Sequence, residues 1–280
     1  MENLLVNKVA AVKEVRQAAE YQKKKQACIL TGLAGSSKPV FFAAADKLLG
    51  GKGSMAFITA SREEIRTYRR ELNYLYPDLP MQELYPVSLP RVQADTQSLE
   101  LQAGRAAALR FLSGEERGIV FITAEALQQK QLRPSGMSGK ALQLAVGEEH
   151  EQRNIAAALL DLGYERTEQV DALGQFCLRG DILDVYPINS SAAVRIEWFD
   201  NELDAMRSFD VDTQRSLQTL TSIKIAPLKV DESFSYDADI FEYCAADTMV
   251  VVDEPVHVFS MLEKLDKENK EHASELFGKQ

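Results

Sequence analysis

Apolar residues in the first 25 positions fall at Leu4, Leu5, Val9, Val12 and Val15, close to the helical repeat, and predict a helix over residues 1–25. Ala27–Thr31 is a short apolar run that ends at glycine and reads as a buried strand. A loop, Gly32–Pro39, follows, and then an apolar helix from Pro39 to Leu49, whose opening proline costs nothing in a first turn. Met55–Thr59 and Gly118–Thr123 are further buried-strand runs, and Ser98–Leu112 reads as a helix. Ser61 and Glu64 have capping-box spacing and open a helix rich in arginine: Arg62, Arg66, Arg69 and Arg70. Strand, loop and helix repeated in this order predict a parallel α/β sheet.

The pattern changes near Gly139. Ala141–Val146 reads as a strand and Glu148–Leu162 as a helix. Short alternating strands follow at Gly174–Arg179, Asp181–Tyr186, Ala192–Phe199, Leu203–Phe209 and Thr221–Ile225, an α+β unit with antiparallel hairpins. Thr248–Val252 is again a continuous apolar run, a parallel strand returning to the first sheet. The expected organisation is an α/β domain of residues 1–137 plus 229–280, interrupted by an α+β domain of residues 138–228.

The chain has 280 residues, 45% of them apolar, which is enough for two domains. Net charge is -10, with 42 acidic against 32 basic residues. A protein that neutralises many phosphates by itself is usually basic, so the balance argues against duplex binding while leaving open a local basic patch or a protein partner. Cys28, Cys177 and Cys244 form no CxxC pair, and His150, His257 and His272 are scattered, so neither a metal site nor a disulfide framework is expected. Met1–Lys25 lacks the apolar core of a secretory signal, and runs such as Val40–Ala45 are too short to span a bilayer. The expectation is a cytoplasmic protein without membrane contact.

The loop before the second helix approaches a phosphate-binding motif, G-x-x-x-x-G-K-[ST]. Counted from Gly32 through Gly35 and Ser36, the sixth position is Ser37 rather than glycine, Lys38 is in place, and Pro39 stands where a hydroxyl residue would hold magnesium. Ser37 adds a Cβ where glycine lets backbone approach phosphate, and Pro39 offers neither hydroxyl nor N–H. A silent relic is expected, with weak anion binding at the helix N-terminus as the alternative. Asp253-Glu254 follows an apolar strand as a Walker-B acid pair would, although two acids at a strand end are more often a solvated terminus.

Gly174–Pro187, GQFCLRGDILDVYP, resembles the G-x-F-x-x-R-G-D signature shared by UvrB and the transcription-repair coupling factor family. Val194–Leu203 resembles the family's VRIE stretch, and Arg207–Asp210 and Asp212–Ser216 resemble its RSFD and D-x-TQRS segments, the last closer to the coupling factors than to UvrB. Thr31–Ser36 is similar to the coupling factors' own decayed loop. The resemblance implies a degenerate RecA/helicase-type, P-loop-like domain without its ATPase, and an inserted domain that docks UvrA. It carries the UvrA contacts onto Arg179, Arg195 and Phe199. It implies no cofactor for this chain, since ATP belongs to motor domains that do not fit in it, and the chain is expected to be a fragment. RNA polymerase and DNA would be reached only through other domains.

The residues support that face independently. Strand alternation puts Arg195, Glu197 and Phe199 opposite Val194, Ile196 and Trp198, and Cys177 with Arg179 opposite Phe176 and Leu178. If the two strands are neighbours, Arg179, Arg195 and Phe199 form one patch, with the aromatic-plus-arginine composition of an interface hot spot. Two other functions compete: a nucleotide-hydrolysing helicase-like fragment using Lys38 and Glu254, and a UvrB-type damage-verification protein. The latter needs an aromatic-rich hairpin, for which Glu83–Asp95 supplies only Tyr85.

Overall fold

The computed structural model describes residues 4–84, 86, 99–132, 141–228 and 236–277. In chain order the elements are α1 (Leu4–Ala10), α2 (Lys13–Lys23), α3 (Ser37–Leu48), β1 (Met55–Thr59), α4 (Arg62–Leu75), β2 (Met81–Leu84), α5 (Leu99–Ser113), β3 (Ile119–Thr123), α6 (Ala124–Gln128) and β4 (Gln131–Leu132). Then come β5 (Leu142–Ala145), α7 (Gln152–Asp161), β6 (Glu165–Arg166), β7 (Gln175–Arg179), β8 (Ile182–Val185), β9 (Ala193–Phe199) and β10 (Glu202–Phe209). The last are β11 (Ser216–Leu220), β12 (Ser222–Ile225), β13 (Tyr236–Ala238), β14 (Met249–Val252) and α8 (Pro255–Phe277). Two compact units emerge: Met1–Ser88 with Ala108–Gln129 and Tyr243–Gln280, and Leu89–Ala107 with Lys130–Glu242. The expected boundaries at 137/138 and 228/229 involve residues outside those described, as does Tyr85.

The first unit is built on a parallel sheet in the order β14-β1-β3-β2. Met55 pairs with Ile119 on one side and Met249 on the other, so the run at 248–252 does return to the first sheet. Every residue of β1 and β3 is buried, as expected of continuous apolar runs in a sheet covered on both faces. α4 enters through the predicted capping box, with the Ser61 N–H donating to Glu64 Oε2 at 2.9 Å, and buries Ile65, Tyr68 and Leu72 against the core around Phe57 and Phe121. Removing a core phenylalanine of this kind costs about 3–5 kcal/mol.

Two expectations need correction here. The first 25 residues form two helices, α1 and α2, broken at Ala11-Val12. Ala27–Thr31 is not a strand: the run is exposed, Ile29 to 90%. The local cause is the end of α2. Lys25 adopts φ 54°, its N–H donates to the Gln22 carbonyl, and the Gln26 N–H donates to that of Tyr21, the reverse turn of a Schellman motif. The run then forms a wall of an open cavity of about 750 Å³ against α1, α2 and α3, and β14 is left as the sheet edge.

The second unit is dominated by a sheet in the order β11-β10-β9-β8-β7-β6, antiparallel except for β6 beside β7. β5 and β12 pair separately, as do β4 and β13. Phe176, Leu183, Val185, Val194, Ile196, Trp198 and Met206 form one sheet face and pack with Ile155 and Leu159 of α7. No helix among the described residues is long and apolar enough to cross a membrane.

Candidate functional site

The opposite face of the six-stranded sheet carries polar residues beside a small buried cluster of Val170, Cys177, Ala193 and Phe209. Cys177, Asp184, Arg195 and Arg207 are paired in succession across β7, β8, β9 and β10, and Arg179, Ile182 and Glu197 form the next row. Residues directly opposite share a face, so both rows lie on one surface, joined by Phe199 two positions beyond Glu197. Two-residue turns close β7–β8 at Gly180-Asp181 and β9–β10 at Asp200-Asn201, with Gly180 at φ 57° and Asp200 at φ 60°. Both turns therefore point from the same end of the sheet, and Arg179 and Phe199 each immediately precede one.

β7 and β9 are not neighbours, because β8 lies between them. Asp184 of β8 joins them instead. It is 1% exposed, and its carboxylate accepts from Arg195 Nε at 2.6 Å, Arg195 Nη2 at 2.8 Å and Arg179 Nη2 at 3.0 Å. Arg195 also lies over the Phe209 ring, 4.7 Å from its centroid, and donates to Gln214 Oε1 at 3.1 Å. The hydrogen bonds that Arg195 donates to Asp184, against the opposing effect of burial, hold the Arg195 guanidinium pKa above the usual arginine value. Arg207 sits directly opposite Arg195, a pairing of like charges that Asp184 on one side and Glu197 on the other neutralise.

These bonds sort the three candidates. The Arg195 side chain is 19% exposed and largely committed within the sheet. The Arg179 side chain is 53% exposed, and Phe199 is 77% exposed at its hairpin. Phe199 and Arg179 are thus exposed on one face and at one end of the sheet, with Arg179 held from behind by the buried Asp184 carboxylate.

The loop at Gly32–Lys38 lies in the first unit. Gly32 and Gly35 take φ 81° and 51°. Ser37 Oγ donates to the Ala34 carbonyl at 2.7 Å and accepts from the Ala34 N–H at 2.9 Å, while Ser36 Oγ donates to Glu71 at 2.9 Å. Lys38 Nζ donates to Asp253 Oδ1 at 2.7 Å and Glu254 Oε1 at 2.6 Å. Burial alone would lower the Lys38 pKa, but the two carboxylates outweigh it and raise it; Lys38 in turn depresses that of Glu254. Burial, and then the Asp253 charge, push the nearby Tyr68 hydroxyl upward. The loop lysine and the two acids after β14 thus meet and bind one another.

A UvrB interaction domain model matches residues 142–230. The chain is 36% identical over 203 residues to the transcription-repair-coupling factor of Bacillus subtilis (strain 168), a match covering 72% of this chain and 17% of that protein. The chain is related to the transcription-repair-coupling factors and carries a UvrB interaction domain. The coupling factor of Staphylococcus haemolyticus is 32% identical over 202 residues, covering 71% of this chain and 17% of that protein. For Escherichia coli (strain K12) the figures are 28% over 165 residues, covering 59% and 14%. The matched stretch is therefore a small part of each of these coupling factors.

Arg179, Asp184, Arg195, Phe199 and Gln214 all fall inside the UvrB interaction domain, whereas Lys38, Asp253 and Glu254 fall outside it. Sequence reasoning missed Asp184 as the link between the two arginines. Its signal was an acid in the strand position that alternates with Leu183 and Val185, on the face Arg195 shares.

Proposed function

We propose that this chain recruits UvrA to transcription-coupled nucleotide excision repair through the sheet end of its UvrB interaction domain that exposes Phe199 and Arg179, and that it performs no nucleotide chemistry itself. The observation that carries the reading is Phe199, 77% exposed at the same sheet end and on the same face as Arg179. Phe199 is the apolar anchor, Arg179 grips a carboxylate of the partner, and Arg195 stiffens the sheet beneath them. The relic phosphate loop is silent because Pro39 has no magnesium-binding hydroxyl and Lys38 is occupied by Asp253 and Glu254. RNA polymerase and DNA would be engaged by other parts of a longer parent, in the cytoplasm. The test is a pull-down of purified UvrA by this chain. Stoichiometric capture supports the reading, and its absence at micromolar concentrations of both proteins contradicts it.

A further inference from the structure

α4 concentrates arginine in a chain whose net charge is -10. Its buried side is Ile65, Tyr68 and Leu72. At 3.6 residues per turn the opposite side is formed by Glu63, Arg66, Thr67, Arg70 and Tyr74, of which Arg66, Arg70 and Tyr74 follow about one turn apart. All three are exposed, Tyr74 to 83%. Arg62 is held by Glu83 at 2.7 Å, and Arg69 donates to the Met81 carbonyl at 3.2 Å. Arg66 and Arg70 have no ion pair or hydrogen bond among the described residues. Two nearby acids are turned elsewhere, Glu71 to Ser36 and Glu64 to Ser61.

We propose that this stripe binds single-stranded nucleic acid, with Arg66 and Arg70 on neighbouring phosphates and Tyr74 stacked on a base. Two free guanidiniums, about 6 Å apart along the helix axis, present planar forks to phosphate oxygens without first breaking an internal bond. An exposed tyrosine continuing the same stripe supplies the stacking platform by which single strands are held regardless of sequence. An acidic peptide would satisfy the arginines and leave the ring unused, and a duplex keeps its base faces stacked inside. The stripe belongs to the first unit and does not depend on the UvrA reading.

The experiment is fluorescence anisotropy of a labelled oligothymidylate titrated with the whole chain over a salt series. Two phosphate contacts predict a slope of log K against log salt of about -1.4. Arg66→Ala with Arg70→Ala should bring that slope close to zero, and Tyr74→Ala should weaken binding about tenfold while leaving the slope intact. Circular dichroism checks that these surface variants stay folded. Wild-type affinity and slope in the double arginine variant would overturn the proposal. Equal binding of oligoglutamate, or of a duplex, with Tyr74→Ala silent would overturn it as well, assigning the stripe to an acidic protein or to duplex backbone.

Discussion

Asp184 and Arg195 meet across β8 and β9 in a two-pronged carboxylate–guanidinium contact at 2.6 and 2.8 Å, and the same carboxylate reaches Arg179. The acid is buried and Arg195 nearly so, which makes the pair sensitive to loss of one partner. Asp184→Ala should destabilise the protein by about 3–5 kcal/mol, because it strands a partly buried guanidinium. Urea melts of the variant should show the midpoint falling with little change in slope.

Phe199 behaves in the opposite way. Its ring is mostly in water, so Phe199→Ala should change stability by less than about 0.5 kcal/mol. Thermal melts of the two proteins should coincide, while UvrA capture by the variant should be impaired.

The Lys38–Asp253–Glu254 contact gives a pH signature. The Lys38 pKa is raised, so its contribution is complete below the ordinary lysine value of about 10.4 and is lost as pH rises through the folded value. The Glu254 pKa is lowered, so its contribution is complete above about 4.3 and is lost as pH falls through the folded value. Urea melts of Lys38→Met and the natural protein should therefore differ by a constant amount across neutral pH, with the difference shrinking in acid. A difference unchanged from neutral pH down to acid would show that Lys38 acts without Glu254.

The proposed silence of the loop at Gly32–Lys38 toward nucleotide is also measurable. A ligand at a hundred times its Kd adds about 2.7 kcal/mol of stability. Millimolar Mg-ATP should leave the melting temperature of the chain unmoved, and a rise abolished by Lys38→Ala would restore the nucleotide-binding alternative.

Much of this was legible in the sequence where one physical signal dominated. Met55–Thr59 and Ile119–Thr123 are buried on both faces, and their unbroken apolar runs located them. The alternation of Val194, Ile196 and Trp198 against Arg195, Glu197 and Phe199 gave the two faces of β9. Ala27–Thr31 failed because an apolar run specifies burial only if a sheet edge receives it, and the turn at Lys25 carries it elsewhere. β11 was missed because SLQTL is almost wholly exposed and lacks an alternating pattern. The patch expectation was conditional on β7 lying beside β9; Arg179, Arg195 and Phe199 share a face, but β8 separates the two strands. Strand order is a non-local property, and only the intervening β8 reveals why the family-like segment places an acid at Asp184.

Phe199 and Arg179 are proposed to form together a docking surface for UvrA. Isothermal titration of UvrA into the chain carrying Arg179→Glu, Phe199→Ala, or both, with folding checked by circular dichroism, tests it directly. Each single substitution should weaken binding by at least about tenfold, the 1–2 kcal/mol scale of a hot spot, with the double variant weaker still. Superimposable curves for all of the folded variants and the natural protein would contradict it.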